Sequence, residues 1–244
     1  MMGVEEGNCS TVPGSKDDNK LHEDGPGGLD EADDEPLEKS EATRYQQVAA
    51  TLTYVAADRP DSQFSVKEAA RDMATPKVRS WRLLKRIARY LKGRPRLLLH
   101  YHWQDAELGI RTYSDSDYAG CLRTRRSTSG GCLMIGRHFI QSFSKQQKVV
   151  ALSSAEAETY ALVLASFETL GMQAYANDMG LELPAEMFAD ASAALGIIAR
   201  AGLGKVRRLR TQALWLQEAR QEKRLKFTNK YQVKATQQTP APST

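Results

Sequence analysis

The sequence predicts an α/β fold, a mixed sheet flanked by helices, from three observations. The hydrophobic period changes from helical to alternating after Gly93-Arg94-Pro95. Extended apolar runs then follow one another to Phe143, and a long helical stretch with its own cap signals comes next. A short strand, two helical runs and a last extended run complete an order that suits one sheet covered by helices.

From Arg44, helical spacing of Tyr45, Val48, Ala49, Leu52 and Val55 predicts a first helix. Arg59-Pro60-Asp61 breaks it and opens a second, carrying Phe64, Val66, Ala69, Ala70 and Met73. Thr75 as N-cap, Pro76 at the first helical position and Gly93 as a stop frame a third. Its apolar stripe is Trp81, Leu84, Ile87, Ala88 and Leu91; the other face carries Arg79, Arg82, Lys85, Arg86 and Arg89, which suits either a phosphate backbone or plain solvation.

Leu97–Tyr101 and Leu108–Tyr113 read as strands, as does Cys132–Ile135 after Gly130-Gly131, with a hairpin at Gly136-Arg137 into Phe139–Phe143. These make an antiparallel meander. Ser153 and Glu156 have capping-box spacing and start a helix towards Met179, with Gly171 as a candidate kink and Gly180 as the stop. Glu186–Ala189 predicts a strand, Ser192–Arg200 and Val206–Gln221 helices, and Leu225–Phe227 a last strand.

A chain of 244 residues with 41% apolar content can bury a real core. No stretch approaches the roughly 18 apolar residues of a membrane span, and no basic region followed by an apolar run opens the chain. The expectation is a soluble intracellular protein, cytoplasmic or nuclear, without membrane association. Cys9, Cys121 and Cys132 form no CxxC pair and match no histidine at zinc-finger spacing, so neither a disulfide framework nor a zinc site is expected.

The net charge of +4 hides an asymmetry: residues 1–43 hold 13 Asp and Glu against 3 Lys, and the remainder 31 basic against 17 acidic residues. Residues 1–42 are poor in aromatic and β-branched residues and are expected to be a disordered acidic leader. The cationic body attracts polyanions, with nucleic acid the default candidate. A frayed tail is expected over 231–244.

Asp115 closes a strand, Asp190 closes another, and Glu158 lies in the second turn of the long helix. Strand ends in such sheets share a cleft, so the three can converge. Converged acids repel unless cations neutralise them, and oxygen-only ligation points to Mg²⁺ or Mn²⁺. A single Asp after a strand is usually a turn or cap residue; the joint placement of three favours the metal reading.

Tyr113-Ser114-Asp115-Ser116-Asp117-Tyr118-Ala119-Gly120-Cys121 followed by Thr124-Arg125-Arg126-Ser127-Thr128-Ser129-Gly130 resembles the signature of copia-type retrotransposon ribonuclease H domains. Ser144-Lys145-Gln146, Ser153-Ser154-Ala155-Glu156-Ala157-Glu158 and Phe188-Ala189-Asp190 are similar to further words of that family, and Ala57–Asp61 and Leu84–Gly93 to words linking its reverse transcriptase to its ribonuclease H. The resemblance spans roughly residues 43–227. It implies a ribonuclease H-like mixed five-stranded sheet over 96–230, preceded by a helical connection segment over 43–95. It also implies Asp115, Glu158 and Asp190 as catalytic and metal-bridging acids, and two-metal cleavage of the RNA strand of an RNA–DNA hybrid, with a reverse transcriptase as partner. Arg126, Ser127, Thr128 and Lys145 become nucleic-acid-binding candidates. Asp117 reads as a supporting acid and Glu156 as a helix cap.

The chain departs from the family at its end. After Glu222 there is no Asp or Glu, so the fourth carboxylate is missing, and Arg208-Leu209-Arg210 stands where the family has His-Ile-Asp. Two readings therefore stand: a hybrid-cleaving nuclease of impaired activity, or an inactive relic that binds nucleic acid through its basic surface.

Overall fold

Among the described residues three helices come first, each burying the stripe its apolar spacing dictates. The structure, a computed structural model, describes residues 8–14, 34–104, 109–121, 124–200, 202 and 210–231. Most of the acidic leader, the tail after Tyr231, and Leu108 and 206–209 of two predicted elements lie outside these residues. The chain divides into two compact units, Met1–Leu99 with Cys121–Thr124, and His100–Gly120 with Arg125–Thr244.

In the first unit, α1 (Lys39–Val55), α2 (Gln63–Arg71) and α3 (Val78–Gly93) bury Tyr45, Ala49, Val66, Ala69, Leu84 and Ile87 in one cluster. The first helix opens at Lys39, earlier than residue 43. The buried Tyr45 hydroxyl donates to the Ala69 carbonyl at 2.8 Å, which satisfies its one polar atom. Between α1 and α2, Asp61 accepts two bonds from Arg59, at 3.0 and 2.8 Å, and one from the Tyr90 hydroxyl at 2.7 Å. The Arg59 bonds, with Tyr90's, hold its carboxyl below the usual carboxylate range.

α3 begins at Val78 rather than at Pro76. Pro36 and Lys77 form an antiparallel bridge, with Leu37 N–H donating to Pro76 O and Val78 N–H to Glu35 O. That pairing holds residues 76–77 extended, and the Ser80 hydroxyl, accepting from Lys77 N–H, replaces Thr75 as the capping group. Arg79, expected on the basic face, is instead buried and ion-paired with Asp34 at 2.6 Å. The strand expected at Leu97–Tyr101 does not form: 94–104 are neither helix nor strand, and Leu98 is 74% exposed, because no other strand pairs with this run.

The second unit holds a five-stranded mixed sheet flanked by helices. β1 (Ile110–Asp117), β2 (Thr128–Ile135) and β3 (His138–Gln146) form the antiparallel meander. Gly136 makes the hairpin turn at φ +59°, where glycine is favoured. α4 (Ser154–Asp178) follows, then β4 (Ala185–Ala189), α5 (Ser192–Ala199), α6 (Arg210–Gln221) and β5 (Lys226–Asn229). The strand order is β3-β2-β1-β4-β5, with β4 parallel to both β1 and β5.

α4 is capped as its sequence demands. Ser153 Oγ accepts from Glu156 N–H at 3.2 Å, and the Glu156 carboxylate accepts from Leu152 N–H at 2.9 Å. The helix is unbroken at Gly171. Its buried stripe runs Glu158, Leu162, Ala165, Thr169, and the small residues among them let it approach the sheet. The Thr112 and Thr169 hydroxyls bond at 2.7 Å, while Ser116 bonds Glu158 further along. These two ties fix α4 antiparallel to β1 and fix which helical turn overlies the strand's end. Ile110, Leu133, Leu162, Met187, Ile198 and Leu216 fill the core.

Candidate metal centre

The site is built by register. β1 and β4 pair with Tyr113 opposite Phe188, and carrying that parallel register two residues on brings Asp115 level with Asp190. β4 and β5 pair with Ala189 opposite Asn229, so the next step brings Asp190 level with Lys230. Neighbouring strands lie about 4.8 Å apart, so this row is close enough for its side chains to interact. Tyr113 and Phe188, two residues earlier on the same two strands, stack with centroids 5.0 Å apart beside the acids.

Glu158 reaches the row from α4. Ligand oxygens of Asp115, Glu158 and Asp190 all lie within 4.8 Å of one another. Glu158 Oε1 accepts from the Ser116 amide at 3.1 Å and its hydroxyl at 2.8 Å. Its Oε2 is buried and, among the described residues, has no hydrogen-bond partner. Burial first, then the charges of Asp190 and Asp115, push the Glu158 carboxyl above its ordinary value, against the opposing pull of Ser116. Asp190 Oδ2 accepts from Lys230 Nζ at 2.7 Å. That bond, and the Asp115 charge beyond it, raise the lysine's pKa.

Three carboxylates, one with an orphaned oxygen, make a hard all-oxygen donor set, which fits Mg²⁺ or Mn²⁺. Asp115 is exposed, leaving a path from solvent, whereas Glu158 is only 8% exposed.

The nucleic-acid-binding candidates divide. Ser127 is fully buried and its hydroxyl accepts from Ala119 N–H at 3.1 Å; Thr128 is 8% exposed at the start of β2. Both side chains lie largely inside the fold. Arg126 is exposed, and Lys145 pairs with Glu168 at 2.9 Å. Ser116 and Lys230 were missed. Ser116 stands between two acids of the motif, whereas no sequence signal marked Lys230.

A mixed five-stranded sheet in the order β3-β2-β1-β4-β5 flanked by helices, with acids at the ends of β1 and β4 and a third on the helix between them, defines an α/β domain with a candidate metal site. No protein-family model matches the chain. It is 36% identical over 124 residues to an uncharacterized mitochondrial protein of Arabidopsis thaliana, covering 51% of each chain. A retrovirus-related Pol polyprotein from the Arabidopsis thaliana transposon RE2 is 33% identical over 141 residues, 58% of this chain and 10% of the polyprotein. The secreted RxLR effector protein 161 of Plasmopara viticola is 33% identical over 123 residues, 50% of this chain and 86% of that protein. Retrovirus-related Pol polyproteins of transposons are thus among its relatives, and the chain spans about half of the mitochondrial protein and a tenth of the polyprotein. A ribonuclease H1 isolated from compost is similar at 15% identity and a TM-score of 0.36, over 50% of this chain and 83% of that one; the fold assignment rests on strand order and connectivity. No helix among the described residues is long and apolar enough to cross a membrane.

Proposed function

We propose that this chain is a copia-type retrotransposon ribonuclease H that cleaves the RNA strand of RNA–DNA hybrids with a divalent cation, Mg²⁺ or Mn²⁺, held by Asp115, Glu158 and Asp190. The observation that carries the reading is the approach of three ligand oxygens to within 4.8 Å. Ser116 orients Glu158 so that its second oxygen stays available. Asp115, at the exposed end of β1, is where a phosphodiester gains access. Asp115, Glu158 and Asp190 would hold the cation, whose charge would serve to activate water and stabilise the leaving 3′ oxygen, for a 5′-phosphate product. Arg126 and Lys145 are the remaining candidates for backbone contacts, Lys145 after exchanging Glu168 for phosphate. A reverse transcriptase is the partner that would generate the hybrid.

The test is cleavage of a labelled hybrid in Mg²⁺. Asp115→Asn should lower kcat by about a hundredfold or more; undiminished cleavage by that variant refutes the assignment. The second reading, a catalytically dead nucleic-acid binder, is favoured by the lysine beside Asp190 and the lack of acids after Glu222. It predicts salt-sensitive hybrid binding without hydrolysis in either metal.

A further inference from the structure

Lys230 follows β5 directly, and the β4–β5 register puts it level with Asp190, at the end of the row that Asp115 begins. Its ammonium lies 2.7 Å from Asp190 Oδ2 and over the Tyr231 ring at 5.5 Å from the centroid. The side chain is 33% exposed, so the contact is half-buried rather than a surface encounter. We infer that Lys230 is a built-in cation which takes the place of one metal ion, so that the site binds a single divalent cation. The inference rests on the metal reading above.

Charge balance supports it. Three ionised acids carry three negative charges; one divalent cation and one ammonium neutralise them, whereas two divalent cations beside the same ammonium leave two positive charges in excess. The lysine engages Asp190 and leaves Glu158 Oε2 without a partner, so one cation position is filled and one ligand oxygen stays open. The ammonium has no open coordination position and binds no water as a Lewis acid would; it fixes Asp190 and offsets charge.

Mn²⁺ bound to the full chain can be counted by paramagnetic resonance, with folding checked by thermal melting. The wild type should bind one ion at the triad, lost in Asp190→Asn. Lys230→Met should bind Mn²⁺ at least about tenfold tighter, because a cation is removed beside the ligands, and Lys230→Asp should bind a second ion. Lys226→Met, which removes a lysine paired with Glu186 instead, should change neither number. Two ions bound by the wild type, or unchanged affinity and stoichiometry in both Lys230 variants, overturns the inference. Hybrid cleavage by a wild type holding two ions sinks the lysine's role and leaves the nuclease standing. One bound ion with the expected Lys230 responses and no cleavage does the reverse.

Discussion

Glu158→Gln should stabilise the protein when no divalent cation is present. Glu158 is buried, and its ligand oxygen lies within 4.8 Å of those of Asp115 and Asp190. At that distance Coulomb's law with an effective dielectric of 20 gives about 3.5 kcal/mol for each pair of unit charges. Asp115 is exposed and Asp190 already pairs with Lys230, so screening leaves about 1–2 kcal/mol of net repulsion. Glutamine keeps the carbonyl that accepts both Ser116 bonds, and its amide N–H groups can donate to the neighbouring acids. Thermal melting in EDTA at neutral pH should show the variant melting about 2–8 °C higher. Adding Mg²⁺ should raise the wild type and leave the variant nearly unmoved. An equal or lower melting temperature for the variant in EDTA refutes the picture of strained, unneutralised acids.

Two further outcomes concern stability. Asp61→Asn should cost about 1.5–3 kcal/mol, since it removes the charge that accepts from Arg59 and Tyr90. The Asp61 pKa is depressed in the folded state, so its contribution is present above the unfolded value and lost as pH falls through the folded one; the gap between wild type and variant, followed by circular dichroism, should close below about pH 4, and a constant gap contradicts the ion-pair account. Gly131→Ala should cost about 1–3 kcal/mol, because its Cβ would meet the Phe143 ring and the Tyr113 carbonyl oxygen across the sheet; a wild-type denaturation midpoint would show that β2 can shift to admit it.

Much of the fold was legible because local chemistry and tertiary pairing agree. Ser153 and Glu156 cap α4 as their spacing requires, and Gly136 turns the hairpin. Legibility failed where a distant segment decided the outcome. The bridge between Pro36 and Lys77 delayed the start of α3, and Leu97–Tyr101 lacked a neighbouring strand to pair with. Ser127 was a nucleic-acid-binding candidate from the resemblance, and its oxygen accepts from the Ala119 amide. At the candidate site the acids could be read from motif words. Lys230 could not, because its place depends on the register of a four-residue strand.

That short last strand leaves the cleft open to evolutionary editing. Side chains on a strand alternate, so inserting or deleting one codon upstream of Lys226 and keeping the pairing would present Asn229 or Tyr231 beside Asp190 instead of Lys230. A neutral amide or a phenol would then face the acids, with no acidic codon altered. On the metal reading, a frame-preserving edit at this edge strand would change how many ions the site can hold, leaving the rest of the domain untouched.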